Sequence, residues 1–246
     1  MAIHSTGRRT YDEVGDIPPD FIDYLHSGVH TGRGTGHQIA TTNTIIKGIA
    51  SHPGVQRLIA QDEICYFAGA KSGRKARNVD LILGPPGPGA RFDDTVGMLL
   101  GMPKIPLISG EYKTIMTEHG KNAGNRRTDF ISHAYDARRH VEDAFVFAVC
   151  PVNAADDYYS YTAKQWRHHG DGRTQAARAI DTLSDCLGRQ AVDLLWTPVV
   201  VANNDEDPAY RVADWLRGFP QPPDGDELGW GNFNETLARA CVQMLR

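Results

Sequence analysis

Apolar residues recur at two spacings in the first half of the chain, and these spacings distinguish helices from strands. Residues 37–62 carry apolar side chains at intervals of three and four, which predicts a helix, and Pro53-Gly54 is expected to divide it in two. Shorter apolar runs predict three strands, at residues 63–70, 78–84 and 105–116. Residues 91–104 form an insertion between the last two strands, and a short helix is one form expected for it.

The second half of the chain continues the alternation of helices and strands. The spacing over residues 126–144 predicts a helix, and the continuous apolar run at 145–152 is typical of a strand at the centre of a sheet. A polar stretch rich in aromatic residues follows at 156–172. The last predicted elements are a helix at 173–187, a strand at 191–202 and a closing helix at 234–245. The first part of the chain therefore has the order helix, three strands, helix, strand.

Composition narrows the class of protein. The chain has 246 residues, of which 41% are hydrophobic and 23% charged, so we interpret residues 1–246 as a single globular domain. It has no apolar run of about 18 residues and no apolar stretch at its N-terminus, so neither a membrane span nor secretion is expected. The four cysteines lie far apart without a C-x-x-C pair, which argues against a zinc site or a disulfide framework. A cytoplasmic location is the expectation.

The distribution of charge matters more than its sum. The formal net charge of −4 alone argues mildly against a nucleic-acid partner. Cations nevertheless cluster at residues 71–77, 121–127 and 164–173, whereas acids concentrate at 203–208 and 222–227. The protein can therefore be acidic overall and basic on one face.

A glycine-rich segment, TGRGTGHQ at residues 31–38, has the glycine content of a phosphate-binding loop. A dinucleotide loop requires a preceding strand, and none is predicted here; the G-K-[ST] of a P-loop is also missing from the segment. We interpret these residues as the lead-in to a helix and predict no nucleotide cofactor.

Charged residues interrupt two of the predicted strands. Glu111 and Lys113 are two residues apart, so they share one face of a strand at a separation of about 6–7 Å. Asp80 lies inside the strand at 78–84, flanked by valine, leucine and isoleucine, although aspartate is depleted in strands. Ionised groups on a buried strand are costly unless they are paired or bind a metal. The pattern therefore predicts two carboxylates that converge on one point.

Such a group of side chains suits metal-assisted hydrolysis of a phosphodiester. Two carboxylates can hold a hard divalent cation such as Mg²⁺, which prefers oxygen ligands and keeps several waters. The cation polarises a phosphoryl oxygen and lowers the pKa of water. An ammonium close to one carboxylate can orient that water or neutralise charge on the phosphate.

The D…E-x-K pattern, with each motif on its own strand in this order of elements, resembles the PD-(D/E)xK nuclease superfamily, and in size its type II restriction endonucleases. The resemblance covers residues 39–152. It implies an α/β fold with a restriction-endonuclease-like core, in which helices flank a mixed central β-sheet (α-β-β-β-α-β). It also implies Mg²⁺ as cofactor, Asp80 and Glu111 as metal ligands with the backbone carbonyl of Tyr112, and Lys113 as the group that assists the attacking water. Glu63 is the nearest candidate for the further acid that members often have.

Two alternatives remain open at the motif. Valine precedes Asp80 where the family often has proline, and the gap between Asp80 and Glu111 is long for a hairpin. Asp93 or Asp94 is therefore an alternative first acid, although their flanks are typical of a loop or helix start. An E-x-K pair can also mark a solvated face of an edge strand, where an ion pair contributes little to stability.

Other basic and polar residues are candidates for contact with DNA. Those expected in a polar loop after the strand at 105–116 are Lys121, Asn122, Asn125, Arg126 and Arg127; those in a turn between the first two strands are Lys71, Arg74, Lys75 and Arg77. Arg138 and Arg139 are expected to reach phosphate or, more readily, to form surface ion pairs. His119 and His133 are candidate general bases, which the superfamily does not generally require. The aromatic and basic stretch at 156–173 suits either base stacking or a subunit contact.

These observations together predict a Mg²⁺-dependent, sequence-specific endonuclease that hydrolyses double-stranded DNA. The resemblance implies a homodimer, with residues 153–246 forming a C-terminal extension packed on the core for DNA binding, dimerisation or both. The alternatives are a non-specific or structure-specific repair or defence nuclease of the same fold, and a non-catalytic DNA-binding module.

Overall fold

A computed structural model describes residues 36–72, 77–160, 164–188, 191–201, 211–212 and 230–246. In these ranges the helices are α1 (Gly36–Ala50), α2 (Pro53–Ala60), α3 (His119–His140), α4 (Gly172–Gly188) and α5 (Trp230–Met244). The strands are β1 (Cys65–Ser72), β2 (Arg77–Gly84), β3 (Arg91–Asp93), β4 (Met98–Leu100), β5 (Ile108–Tyr112), β6 (Phe145–Val149), β7 (Val152–Asn153), β8 (Asp157–Ser160), β9 (Gln165–His168), β10 (Leu194–Trp196), β11 (Val199–Val201) and β12 (Arg211–Val212). None of these helices is long and apolar enough to cross a membrane.

Seven strands form the central sheet in the order β10-β6-β5-β2-β1-β4-β3. The β1–β2 and β2–β5 pairs are antiparallel, whereas β5–β6, β6–β10 and β1–β4 are parallel. The prediction of an α/β fold with a mixed central sheet flanked by helices is therefore confirmed. Two smaller sheets, β12-β11-β7 and β8-β9, lie beside it in the described part of the chain.

Two apolar layers enclose the sheet, because alternate residues of its strands point to opposite faces. In β6, Phe147 and Val149 join one core, which α1, α2 and α5 supply with Ile45, Ile46, Ile49, Val55, Leu58, Phe233, Leu237 and Cys241. Val146 and Ala148 join the other core, which α3 and α4 supply with Phe130, Ala134, Ala176, Ala179, Ile180 and Leu183. The result is a three-layer arrangement of helix, sheet and helix.

The break predicted at Pro53-Gly54 separates α1 from α2. Pro53 is the first residue of α2, where its missing N–H is tolerated, and His52 caps the helix by accepting a 3.1 Å hydrogen bond from the N–H of Gly54 at Nδ1. Gly36 begins α1, so the end of the glycine-rich segment leads into a helix as expected, while residues 31–35 lie outside the described residues.

Three local predictions are wrong. Residues 91–104 form the hairpin β3–β4 rather than a helix, because β4 pairs with β1 and extends the sheet at its far edge. The predicted strand at 191–202 divides into β10 and β11, which join different sheets. Helix α3 begins at His119 rather than 126, so the expected polar loop forms its first turns.

The segment after residue 152 contributes to the central architecture. β10 pairs with β6 in the seven-stranded sheet, and α4 and α5 pack on its two faces. The polar, aromatic stretch forms the hairpin β8–β9, with Tyr159 opposite Trp166. The acidic segments at 203–208 and 222–227 lie outside the described residues.

Candidate active site

The antiparallel pairing of β2 with β5 brings the two in-strand carboxylates together. Leu81 pairs with Gly110, and continuing this register by one residue places Asp80 opposite Glu111. Directly opposed residues of an antiparallel pair point to the same face. The long insertion does not separate the two strands, because β3 and β4 pair on the far side of β1.

Lys113 lies immediately after β5 and is the point on which these groups converge. Its Nζ lies 3.9 Å from Asp80 Oδ2, donates a hydrogen bond to Glu111 Oε1, and lies 3.2 Å from the carbonyl oxygen of Tyr112. Asp80 and Glu111 are 8% and 9% exposed, so both carboxylates are largely withdrawn from water. The Lys113 side chain is 24% exposed, so it is more open to solvent than either carboxylate.

The Asp80 carboxylate is held by two further donors. Its Oδ2 accepts a 2.7 Å hydrogen bond from the N–H of Tyr112, and its Oδ1 accepts one of 2.9 Å from Gln38 Nε2 in the first turn of α1. The pKa of the Asp80 carboxyl is raised to about 6, chiefly by burial and then by the charge of Glu111, while the Tyr112 N–H and Lys113 act in the opposite direction. Sequence reasoning missed Gln38, because a polar residue at the start of an amphipathic helix carries no distinctive signal.

The second layer of the site comes from α3, which packs across β5. His133 Nδ1 lies 3.6 Å from Glu111 Oε2, and its Nε2 lies 3.1 Å from Ser109 Oγ. Burial lowers the pKa of His133 to about 4, so its imidazole is neutral at pH 7. The structure thus brings the candidate base His133 against the Glu111 carboxylate.

His119, the other candidate base, lies away from this group. It is 14 residues before His133 in α3, which corresponds to about 21 Å along the helix axis. Its Nε2 lies 2.5 Å from the carbonyl oxygen of Asn153, and its ring contacts the edge of His169. His119 therefore joins α3 to β7 and to the residue that follows β9.

The alternative acids are not brought to the site. Asp93 accepts hydrogen bonds from the Tyr66 hydroxyl at 2.7 Å and from the N–H of Thr95 at 2.9 Å, in a strand four positions from β5 and hence about 19 Å away. Asp94 is exposed in the turn after β3. Glu63 is exposed before β1, at the end of the β1–β2 hairpin remote from Asp80. Of the candidate acids, Asp80 is therefore the one that lies opposite Glu111.

The candidate DNA contacts after β5 belong to a helix rather than a loop. The inward face of α3 is formed by His119, Ala123, Phe130, His133 and Ala134. Among the candidate contacts Lys121 and Asn125 are exposed, whereas Asn122, Arg126 and Arg127 are half-buried. Three of the cations have acidic neighbours: Lys121 lies 3.9 Å from Glu118, Arg126 3.0 Å from Asp129 and Arg127 3.1 Å from Asp185. Asn125 is exposed, and Asn122 donates to the carbonyl oxygen of Thr117.

The second group of candidate cations falls in the sequence between the end of β1 and the start of β2. Lys71 is in β1 and Arg77 in β2, but the positions of their side chains are not described, and Arg74 and Lys75 lie outside the described residues. Asp80 is three residues from Arg77, so this end of the hairpin is the end that carries the site. Gly69, with a φ of 71°, stands opposite Asp80 in the register, and open space surrounds its missing Cβ.

The two arginines late in α3 have partners within the chain. Arg138 donates to Asp193 Oδ2 at 2.7 Å and to the carbonyl oxygen of Ala191 at 2.8 Å. The guanidinium of Arg139 lies 5.8 Å from the centre of the Tyr135 ring. The ion-pair interpretation of Arg138 is therefore the one that the structure supports.

The donor set of the site suits a hard cation. Asp80, Glu111 and the Tyr112 carbonyl provide oxygen atoms only, which is the ligand type that Mg²⁺ prefers. Within the described residues, no group of three or more His, Cys, Asp or Glu side chains is arranged to hold a metal ion. A cation here would therefore depend on two carboxylates, a backbone carbonyl and water.

Comparison with known proteins gave no match. No protein-family model, no curated protein and no solved structure matches this chain.

Proposed function

We propose that this protein is a Mg²⁺-dependent endonuclease of the restriction type, with a restriction-endonuclease-like core, that hydrolyses double-stranded DNA. The observation that carries the proposal is the convergence of Asp80, Glu111 and the Tyr112 carbonyl on the ammonium of Lys113. Two buried carboxylates on neighbouring strands destabilise a fold unless positive charge compensates them, and Lys113 supplies only one positive charge for the two. A carboxylate pair of this kind is typical of a site that holds a divalent ion.

Each residue has a role in this proposal. Asp80, Glu111 and the carbonyl of Tyr112 would hold Mg²⁺, which supplies Lewis-acid polarisation of the phosphate and acidifies water. Lys113 orients the attacking water and neutralises negative charge that develops on the phosphate. Gln38 and the Tyr112 N–H keep the Asp80 carboxylate in its orientation.

The hydrolysis transfers the phosphoryl group to water. The water oxygen forms a bond to phosphorus as the bond between phosphorus and the leaving sugar oxygen breaks, and the leaving oxygen takes up a proton. His133 does not serve as the base, because its two ring nitrogens already face Glu111 and Ser109 inside the protein.

Double-stranded DNA is the proposed substrate because cations flank the site. In the sequence, Lys71, Arg74, Lys75 and Arg77 lie in or beside the connection between β1 and β2, and Arg77 is three residues from Asp80. The first turns of α3 add a more distant cation, Lys121, whose side chain is 73% exposed and which lies about 18 Å along the helix axis from His133. We further propose that two copies act together, so that the two-fold symmetry of a dimer matches that of a palindromic site. Sedimentation of the protein with and without a DNA duplex tests this last point.

A cleavage assay tests the proposed function. Plasmid DNA of known sequence is incubated with the protein and Mg²⁺, with EDTA in parallel, and the fragment ends are sequenced. We expect discrete fragments in Mg²⁺ alone, and no cleavage by Glu111→Ala or Lys113→Ala. Glu63→Ala, which removes an exposed carboxylate remote from Asp80, is the matched control and should cut normally.

The other outcomes identify the alternatives. A continuous smear that depends on Glu111 would show a non-specific nuclease with the same site. Tight DNA binding without cleavage would show a binding module. Cleavage that survives both Glu111→Ala and Lys113→Ala would show that the site lies elsewhere.

A further inference from the structure

The side chain of His133 connects α3 to the strand that carries the E-x-K motif. Its Nδ1 lies 3.6 Å from Glu111 Oε2 and its Nε2 lies 3.1 Å from Ser109 Oγ, and the residue is 7% exposed. Ser109 and Glu111 are two residues apart in β5, so they point to the same face. The imidazole therefore bridges two side chains on the face of the strand that α3 covers.

The chemistry of the two neighbours selects one tautomer of the ring. An ionised carboxylate only accepts hydrogen bonds, whereas a serine hydroxyl both donates and accepts. A neutral imidazole has one N–H, and a lone pair directed at Glu111 would be repelled. These neighbours favour the tautomer with its N–H on Nδ1, facing Glu111, in which Nε2 accepts from the Ser109 hydroxyl.

This arrangement orients the carboxylate. Lys113 donates to Glu111 Oε1, and His133 faces Oε2, so the two carboxylate oxygens meet different partners. Oε1 is then the oxygen that faces the side occupied by Lys113 and Asp80. Rotation of the carboxylate would exchange these partners.

We propose that His133 is a positioning residue: its Nδ1–H holds the Glu111 carboxylate so that Oε1 faces Asp80, ready to coordinate a divalent cation. The proposal rests on the proposed function, since it assigns a role within the same site. Groups that contact metal ligands in this way typically contribute about 10–100-fold to metal affinity or activity.

Three substitutions separate positioning from packing. His133→Asn places an amide N–H close to the position of Nδ1, His133→Gln places one close to Nε2, and His133→Phe keeps a ring without any N–H. The full chain is measured in three ways: Mn²⁺ binding by electron paramagnetic resonance, single-turnover cleavage with its KM for DNA, and thermal denaturation.

We expect His133→Phe and His133→Gln to weaken Mn²⁺ binding and lower the cleavage rate about 10–100-fold, with little change in KM for DNA. His133→Asn should recover most of both losses. Unchanged Mn²⁺ affinity in His133→Phe would overturn the proposal. The proposal would also be overturned if all three variants lost Mn²⁺ affinity and cleavage rate equally and in proportion to their loss of thermal stability. That result would indicate that His133 acts through packing alone.

The design distinguishes failure of this proposal from failure of the proposed function. If the wild-type protein binds Mn²⁺ but does not cut DNA, the nuclease proposal fails, and the order of Mn²⁺ affinities among the variants still decides the role of His133. If the wild-type protein neither binds Mn²⁺ nor cuts, both fail. Nitrogen-15 NMR of the imidazole adds an independent test: an Nε2–H tautomer overturns the positioning role whatever the activity.

Discussion

The N–H of Tyr112, the middle residue of the E-x-K motif, donates a 2.7 Å hydrogen bond to Asp80 Oδ2. The contact joins two residues that are 32 positions apart in the chain. It means that the backbone of β5, and not only its side chains, determines where the Asp80 carboxylate lies. A charge-assisted hydrogen bond from a rigid strand is stronger than one between neutral groups and fixes geometry within the site.

The burial of Asp80 predicts that Asp80→Asn stabilises the metal-free protein. The folded-state pKa is about 6, above the ordinary value of 3.8, so between these values the folded chain holds a proton that the unfolded chain has lost. Stability therefore falls as the pH rises from 4 to 6 and stays lower above 6. The amide avoids this loss, and its gain at pH 7 should be on the order of 1–3 kcal/mol in free energy of unfolding.

Urea unfolding in EDTA at several pH values measures this effect. The oxygen of the new amide can accept from the Tyr112 N–H, and the Gln38 amide can turn so that its oxygen accepts from the new amide nitrogen. The variant therefore keeps both hydrogen bonds. The advantage of Asp80→Asn should shrink as the pH is lowered toward 4. An advantage that is the same at pH 4 and pH 7 would show that ionisation of Asp80 is not its source.

A comparison of two aspartates separates the site from the alternative acid. Asp80→Asn should abolish cleavage, because it removes a carboxylate from the metal site. Asp93→Asn should retain cleavage within a few fold, because Asp93 bonds to Tyr66 and Thr95 at the far edge of the sheet. Single-turnover cleavage of one plasmid by both variants measures the difference, and loss of cleavage in Asp93→Asn without loss of stability would reverse the assignment.

Substitution of Gly110, which precedes the E-x-K motif, is expected to disturb core packing and lower stability. A Cβ at this position would overlap the ring of Phe147, which is itself buried. Gly110→Ala should therefore destabilise the protein by about 1–3 kcal/mol, as overpacking of a core does. Gly124→Ala in α3 is the control, because its Cβ would meet nothing within 4 Å, and it should stabilise by about 0.5–1 kcal/mol. Urea unfolding of both variants should give opposite signs.

Replacement of Lys121 is expected to change the salt dependence of DNA binding. A lysine that contacts one phosphate contributes about 0.9 to the slope of log affinity against log salt. Lys121→Ala should reduce the slope by about this amount for any duplex sequence, whereas Lys47→Ala, in α1 on the other face of the sheet, should not. Fluorescence anisotropy in EDTA at several salt concentrations measures the slopes, and equal slopes for both variants would remove Lys121 from the DNA-contacting surface.

The sequence by itself determined the local elements and the chemical type of the candidate site. Spacing of apolar residues identified α1, α2, β1, β2, β6, α4 and α5 because these periods follow from backbone geometry within a few residues. Charges inside otherwise apolar strands identified Asp80, Glu111 and Lys113, since burial of unpaired charge is costly wherever it occurs.

Only the tertiary structure decided which of these elements meet. Three features are contacts between residues that are distant in the sequence. β2 pairs with β5 across the insertion, and β3–β4 pairs at the far edge of the sheet. Gln38 contacts Asp80, and His133 contacts Glu111. Such contacts depend on how all the strands pair and on how helices bury both faces of the sheet. A pattern of a few neighbouring residues therefore does not predict them. The start of α3 at His119 was also decided by tertiary packing. Its first turns are polar and have no apolar spacing that predicts a helix, but burial of Ala123 and Phe130 in the core fixes them as part of α3.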